Sequence, residues 1–301
     1  MPVTKGIGAG VCTPDKEDGF RKYIILHAKV VQRISWYRDR YYYIDTNSGS
    51  GDNGPYGPGS PALFLDAMRL LHMPYAAHFI DRESANAAAL RDLVQRKGCP
   101  GNPVEVYEED NREAMGRILP EIPAKAFGLI YMDPNGIPDF ELLARVAEQL
   151  EKLDVLIRCP CGAIKRNGLR LLDLLGKVKK AHWNIRRPLA GDSWQWTFLF
   201  GTNYRGGFCE WKREGFYSTT SPEGTETLLR LNFTADEIAQ HQQPELDAEA
   251  AVEARSGGVC EVCRSRPATE KHHLRYGSDH TPEKLIDVCH ECHCRLEDKN
   301  T

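Results

Sequence analysis

A strand, a glycine-rich loop and a helix follow one another from Arg40 to Leu71, in the sequence RYYYIDTNSGSGDNGPYGPGSPALFLDAMRLL. The aromatic and β-branched residues up to Asp45 favour a short strand. Glycine and proline dominate the next stretch, which indicates a loop. Ser60 is then the predicted N-cap of a helix with Pro61 at its first position. This order predicts one βα unit of a parallel sheet.

The same alternation of strand and helix patterns continues along the chain. Further apolar runs typical of strands lie at 76–81, 104–107, 127–133 and 155–159. The run FGLIYMD, Phe127–Asp133, is almost continuously apolar, as in a parallel strand buried on both faces. We therefore predict an α/β fold with a doubly wound, Rossmann-like sheet. Acids end three of the strands, at Asp45, Asp81 and Asp133, and we expect them to line the ligand crevice.

Composition suggests a soluble protein of two domains. The chain has 301 residues, a net charge of −3 and 27% charged residues, which is a globular balance. It has no apolar run of 18 residues and no secretory signal pattern at its N-terminus, so we predict a cytoplasmic protein with no membrane partner. We divide it into an α/β domain at 1–235, a linker or helix at 236–255 and a small zinc domain at 256–301.

The loop after the first strand contains Gly49-Ser-Gly51-Asp-Asn-Gly54, a literal G-x-G-x-x-G. Because prolines and glycines delay the helix to about Ser60, the usual seat for a diphosphate is poorly formed. S-adenosylmethionine (SAM) fits better, since Gly49 and Gly51 allow the backbone to approach its methionine part. Asp81 would accept the ribose hydroxyls, and Asp110 would meet the adenine amino group. The alternatives are a simple turn, or a nicotinamide-dependent oxidoreductase that rests on the glycine pattern alone.

The fourth strand ends in Tyr131-Met-Asp133-Pro-Asn135-Gly. This resembles the catalytic loop of amino-methyltransferases, in which Asp or Asn, two prolines and an aromatic residue orient an exocyclic NH₂ group. The resemblance implies catalytic roles for Asp133 and Asn135, with a stacking ring supplied by Trp194, Trp196 or Tyr131. The alternative is a turn without catalysis, because Pro-Asn-Gly is strong turn chemistry.

A basic segment follows, from Arg158 to Arg187, with nine Lys or Arg residues and a single acid. Such a charge predicts contacts with nucleic-acid phosphates, and a plain solvated surface is the alternative. The predicted contact residues are Lys165, Arg166, Arg170, Lys177, Lys179, Lys180, Arg186 and Arg187.

The C-terminal region contains two Cys-x-x-Cys pairs around a His-His step. Four thiolates at this spacing, Cys260, Cys263, Cys289 and Cys292, predict one structural Zn²⁺. The histidines His272, His273 and His293 remain unused by that ion. They suggest a second, catalytic metal.

Two family resemblances extend this interpretation. Five segments between about residues 20 and 200 resemble the three-Cys-motif partner protein (TcmP) family: KYIILHAKVVQRISW, YYYIDTNSGSG, GSPALFLDA, HFID and LIYMDPNG. The resemblance implies a SAM-methyltransferase-like fold and a bacterial or mobile-element origin. It also implies a cofactor and catalytic pocket lined by Asp45, Gly49, Gly51, Asp81 and Asp133.

The tail, 259–297, is similar to the HNH (ββα-metal) endonucleases. That resemblance implies His273 as general base, His272 and His293 as ligands of a catalytic divalent ion such as Mg²⁺ or Mn²⁺, and zinc as a brace. The Asn that orients the base in that family is missing; Lys284 or Asp287 occupies its region.

Together these observations predict an enzyme acting on nucleic acid, in bacterial or phage DNA modification or restriction. It would combine a SAM-methyltransferase-like domain with an HNH-type nuclease module. DNA is the expected partner, with RNA and a partner protein as alternatives. The competing hypothesis is a non-catalytic adaptor, with a degenerate methyltransferase fold and a zinc ribbon that binds DNA or a protein.

Overall fold

The computed structural model describes residues 13–34, 40–188, 196–204, 209–232, 247–273, 282 and 285–297. The chain divides into two compact units, Met1–Asn232 and Phe233–Thr301. The linker expected at 236–255 lies partly outside the described residues, and it is helical from residue 247 onward. No helix in the described ranges combines the length and the apolar character needed to cross a membrane.

In the described part of the first unit, eight strands form one sheet in the order β3-β2-β1-β4-β5-β7-β6-β8. The strands are β1 Tyr41–Asp45, β2 Tyr75–Ile80, β3 Val104–Tyr107, β4 Gly128–Met132, β5 Leu153–Cys159, β6 His182–Arg186, β7 Thr197–Thr202 and β8 Phe216–Ser218. Strands β1 to β5 are parallel, whereas β7 is antiparallel to both β5 and β6. The order 3-2-1-4-5 is that of a doubly wound sheet. The predicted α/β fold class with a doubly wound, Rossmann-like sheet is therefore confirmed, and the reversed β7 lies between β5 and β6.

Helices cover both faces of this sheet. They are α1 Thr13–Ile34, α2 Ser60–Leu71, α3 Ser84–Lys97, α4 Asn111–Glu121, α5 Phe140–Gln149, α6 Cys161–Arg166, α7 Leu171–Leu175 and α8 Pro222–Asn232. One core packs α1, α2 and α3 against the sheet, and the other packs α4 to α8 against its opposite face. In β4, Ile130 belongs to one core and Leu129 to the other, and every residue of the strand is buried. The continuous apolar run is therefore explained by burial on two sides.

The second unit contains a short hairpin followed by a helix. After a helix at 247–256 (α9), strands β9 Glu270–His273 and β10 Leu285–Val288 pair antiparallel, and α10 His290–Glu297 follows. This is the ββα order expected for the tail. Its buried apolar clusters are small, and one of them consists of Val288 with three cysteines.

Candidate active site and metal centre

Asp45 ends β1 beside the point where the strand order reverses, between β1 and β4. Its Oδ2 accepts hydrogen bonds from Ser60 Oγ at 2.6 Å and from the Tyr43 hydroxyl at 3.1 Å, and its Oδ1 accepts from the Asn47 N–H at 3.2 Å. Burial raises the pKa of Asp45 to about 7, although the hydrogen bonds oppose this and the charge of Asp133 adds to it. Asp45 is thus a buried link between β1 and α2 whose charge changes near neutral pH.

Ser60 is the first residue of α2 and not its N-cap, so that prediction was wrong. Gly59 occupies the N-cap position and makes no side-chain capping bond. The Ser60 hydroxyl instead donates to Asp45. The Ser60 hydroxyl therefore binds the buried carboxylate of Asp45 and does not cap the helix.

The two glycines that open the loop have different roles. Gly51 has φ +74°, and a Cβ there would lie 2.5 Å from Leu93 Cδ2, so this glycine permits close packing on α3. Gly49 has φ +59°, and a Cβ there would meet no atom within 4 Å. The backbone at Gly49 is therefore open on the side that a side chain would fill, and a ligand can approach it there.

Asp81 follows β2 and is joined to this loop. Its Oδ2 accepts the Gly49 N–H at 2.9 Å, while Oδ1 accepts from the Glu83 N–H at 2.9 Å and from Asn86 Nδ2 at 3.1 Å. Three of the roughly four acceptor positions of a carboxylate are therefore filled. Asp81 holds the glycine loop in place through Gly49. Its carboxylate keeps one acceptor position for a further hydrogen-bond donor.

Asp110 is the N-cap of α4, where its Oδ1 accepts the Arg112 N–H at 2.9 Å. The side chain is exposed. Its expected contact with an adenine amino group stays a prediction, since the capping bond explains the residue without a ligand.

Asp133, just past β4, forms an ion pair with Arg158 that local sequence patterns do not reveal. Its Oδ1 accepts from Arg158 Nη1 at 2.8 Å, and its Oδ2 lies 3.4 Å from the Tyr131 hydroxyl. Asn135 is exposed in the bend that follows. The signal for Arg158 was present in the strand LDVLIRC, where an arginine sits next to last in an otherwise buried run. A charge at that position is stable only with a partner or water within reach.

An aromatic ring accompanies this pair. The Arg158 guanidinium lies 5.3 Å from the centroid of the Trp196 ring, and Trp196 meets Phe198 edge-on at 5.7 Å. Trp194, another candidate for the stacking ring, lies outside the described residues. Trp196 is therefore a candidate ring that lies against Arg158, the ion-pair partner of Asp133.

The structure excludes Lys180 from the predicted nucleic-acid surface. Its Nζ donates to the carbonyls of Glu151 at 2.9 Å and Leu153 at 2.7 Å, and the residue is buried. Burial lowers the pKa of this ammonium group. Lys180 therefore binds the backbone at the start of β5. The predicted phosphate contact of Lys180 was wrong, because the number of charges along a sequence does not show which of them are buried.

Most of the other basic residues have protein partners. Acidic side chains pair with three of them: Lys179 with Glu148, Arg170 with Asp173, and Arg187 with Glu226. Lys165 donates to the Arg230 carbonyl at 3.4 Å, and Arg186 hydrogen-bonds the Tyr23 hydroxyl. Arg166 and Lys177 are exposed, with no acidic partner among the described residues. These two remain the best candidates for phosphate contacts.

The four cysteines of the second unit converge on one point. All four Sγ atoms lie within 4.8 Å of one another, and Cys263 and Cys289 are 4.0 Å apart. Tetrahedral zinc with Zn–S bonds of about 2.3 Å requires sulfurs about 3.8 Å apart, so Cys260, Cys263, Cys289 and Cys292 fit this ion.

The turn around the first pair supports the same assignment. Burial raises the pKa of the Cys260 thiol, but backbone N–H groups of Cys263, Cys289 and Val262 outweigh it and lower the pKa. Arg264, directly after the pair, has φ +53°, a left-handed conformation that costs a non-glycine residue about 1–2 kcal/mol. N–H groups aimed at sulfur and a strained turn suit a bound thiolate.

The predicted nuclease histidines are described only through their backbone. His272 and His273 pair with Ile286 and Leu285 in the hairpin, and His293 lies in α10. Their side chains lie outside the described residues, so the roles in base catalysis and metal binding stay predictions.

Asp287, near the place of the missing Asn, is buried and engaged. Its Oδ2 accepts from Ser256 Oγ, and its Oδ1 lies 3.4 Å from Lys271 Nζ. These contacts give Asp287 a role in holding the hairpin to the preceding helix end.

Comparisons with known proteins show only weak structural similarity to solved structures. No protein-family model and no curated protein matches the chain, so membership of the TcmP family stays a prediction. Protein LPL1258 from Legionella pneumophila is 14% identical, with a TM-score of 0.46 over 65% of this chain and 88% of that chain. A methyltransferase from Geobacter sulfurreducens is 14% identical, with a TM-score of 0.40 over 61% and 78%. A SAM-dependent methyltransferase from Agrobacterium tumefaciens is 10% identical, with a TM-score of 0.42 over 65% and 64%. At these values no reaction is transferred from them.

Proposed function

We propose that the Met1–Asn232 unit is a SAM-dependent methyltransferase whose acceptor is an exocyclic amino group of nucleic acid, DNA before RNA. The observation that carries the proposal is the set of groups at the carboxyl ends of β1, β2 and β4. Gly49 is tied to Asp81 on one side of the strand reversal, and Asp133 stands on the other side. This is where doubly wound sheets bind ligands.

The residues present fit SAM. The open backbone at Gly49 would take the methionine part, the remaining acceptor position of Asp81 would take a ribose hydroxyl, and Asp110 would meet the adenine. When bound, SAM supplies an electrophilic methyl group on a sulfonium ion. Asp133 would accept a hydrogen bond from the amino group and orient its lone pair toward that methyl group.

Calorimetry with SAM tests this proposal. The full chain should bind SAM, and Asp81→Ala should abolish the binding, because it removes both the ribose acceptor and the tether of the glycine loop. Asp92→Ala, which removes an exposed acid of α3, is the matched control and should bind as the wild type does. Failure of the folded wild-type chain to bind SAM at millimolar ligand would leave the adaptor hypothesis.

We further propose that the Phe233–Thr301 unit is an HNH-type endonuclease module braced by zinc. The ββα order and the convergence of the four cysteines support this. His273 would activate water, and His272 with His293 would hold Mg²⁺ or Mn²⁺ at the scissile phosphate. A partner protein and a role in modification or restriction remain part of this proposal.

Plasmid nicking in the presence of Mg²⁺ or Mn²⁺ tests the nuclease. His273→Ala should abolish nicking while the zinc content, measured by mass spectrometry, stays at one ion per chain. His290→Ala is a suitable control, because His290 is exposed and bonded to Glu270. Nicking that persists in His273→Ala would remove that residue from the mechanism. Its absence in the zinc-loaded wild-type chain would favour a binding module.

A further inference from the structure

The Asp133–Arg158 pair leaves both of its members with unused hydrogen-bonding groups at the crevice. A single contact joins them, Nη1 to Oδ1 at 2.8 Å, and the side chains keep 27% and 14% of their exposure. Arg158 Nε is buried without a partner, so it can contribute nothing outside the protein. The exposed part of the guanidinium therefore consists of its terminal amino groups.

An acceptor and a donor thus stand side by side. Asp133 Oδ2 has only a long contact, 3.4 Å, to the Tyr131 hydroxyl. The guanidinium beside it offers N–H donors in a planar fork. Because the two charges neutralise each other, the pair suits an uncharged ligand edge that carries an NH donor next to an acceptor. Trp196, under the guanidinium, provides an apolar wall.

Adenine, cytosine and guanine carry such an edge. In each, an exocyclic NH₂ group lies next to an unprotonated ring nitrogen, whereas thymine carries a carbonyl in place of the amine. We propose that Arg158 is a specificity-determining residue. It would donate to that ring nitrogen while Asp133 accepts from the adjacent NH₂ group, which selects a base with an exocyclic amino group over thymine as the methyl acceptor. This inference rests on the proposed methyltransferase function.

The test uses the full chain with SAM present and fluorescein-labelled single-stranded oligonucleotides, followed by anisotropy at one fixed salt concentration. The probes are dA12, dC12, dT12 and dA12 in which every base is 1-deazaadenine or 7-deazaadenine. Each deaza base removes one ring nitrogen and keeps the NH₂ group. Wild type should bind dA12 or dC12 about tenfold to hundredfold more tightly than dT12, and at least one deaza probe should lose a similar factor.

Two variants separate recognition from folding. Arg158→Lys keeps a charge near Asp133 but lacks the fork, and it should reduce the preference to less than threefold while binding dT12 as the wild type does. The double variant Arg158→Met/Asp133→Asn avoids an isolated buried charge and keeps an amide acceptor at position 133, but it removes the donor at position 158; it should also lose the preference. Arg145→Lys, on the exposed face of α5, is the control and should retain it.

Calorimetric SAM binding distinguishes the two levels of failure. If the wild type does not bind SAM, the proposed function fails. If it binds SAM but treats dA12, dC12 and dT12 alike, or if both Arg158 variants keep the wild-type preference, the role of Arg158 is refuted and the methyltransferase proposal stands.

Discussion

Replacing Asp45 with asparagine removes an ionisable group that lies fully buried at the end of β1. Burial raises the pKa of this carboxyl group to about 7 in the folded protein, from an ordinary value of 3.8. Between these two pH values the folded state holds a proton that the unfolded chain has released. The stability contributed by the protonated form is therefore fully present below about pH 4 and is lost as the pH rises through 7.

The magnitude follows from the size of the shift. A difference of about three pH units corresponds to about 4 kcal/mol in total. Between pH 5 and pH 8, linkage gives a loss of about 2.7 kcal/mol from this group alone. Asparagine does not titrate, and its weaker bonds to Ser60 and Tyr43 contribute an offset that does not depend on pH. We expect the unfolding free energy of Asp45→Asn, relative to wild type, to rise by about 2–3 kcal/mol over this range.

Urea unfolding followed by tryptophan fluorescence measures this difference. All five tryptophans precede residue 233, so the signal reports only the first unit. Asp173→Asn, which changes a carboxylate that is 68% exposed, controls for the substitution itself. If the difference between Asp45→Asn and wild type stays flat from pH 5 to pH 8, the reasoning is refuted, since the three hydrogen bonds would then keep the carboxylate ionised.

Three further predictions concern other parts of the molecule. His27 is fully buried and bridges the Tyr41 hydroxyl at 2.7 Å and Asp154 Oδ2 at 3.0 Å. His27→Ala should lower the unfolding free energy of the first unit by about 3 kcal/mol, because it leaves both partners buried without their hydrogen bond. A loss below about 1 kcal/mol in urea unfolding would contradict a stabilising role for this bridge. Gly51→Ala should destabilise the first unit by about 2–3 kcal/mol, because the new Cβ collides with Leu93 and the residue has a positive φ. Gly49→Ala should lower the unfolding free energy by only about 1–2 kcal/mol and should lower the free energy of SAM binding by more than that. Equal losses in unfolding free energy and in SAM-binding free energy would show that the backbone at Gly49 does not face the ligand. Chelation of zinc should abolish the β9–β10 hairpin, because the small core there consists mainly of cysteines. Amide hydrogen exchange should then show that the hairpin has lost its protection, while the tryptophan fluorescence of the first unit stays unchanged. A hairpin that is still protected after complete metal removal would contradict this prediction.

The fold class followed from local patterns. Apolar runs, a glycine-rich loop and helical periodicity alternate because a buried parallel strand must be apolar on both faces and the chain must turn between elements. Helix α4 was not predicted from the sequence, because Gly116 and Pro120 interrupt its helical pattern. It forms because Ile118 and its apolar neighbours pack against the sheet. The paired Cys-x-x-Cys spacing likewise indicated the metal centre, because tetrahedral coordination requires two short turns.

The chemistry of the site was decided by the tertiary structure. Asp133 and Arg158 are 25 residues apart in sequence and become partners only because β4 and β5 are neighbours in the sheet. Burial separates Lys180 from Lys177, although both lie in the same basic segment. The sequence alone determined the alternation of strands and helices and which residues carry charge or sulfur. Only the tertiary structure determined which charges lose water and which meet a partner, because desolvation and ion pairing depend on distances between distant segments.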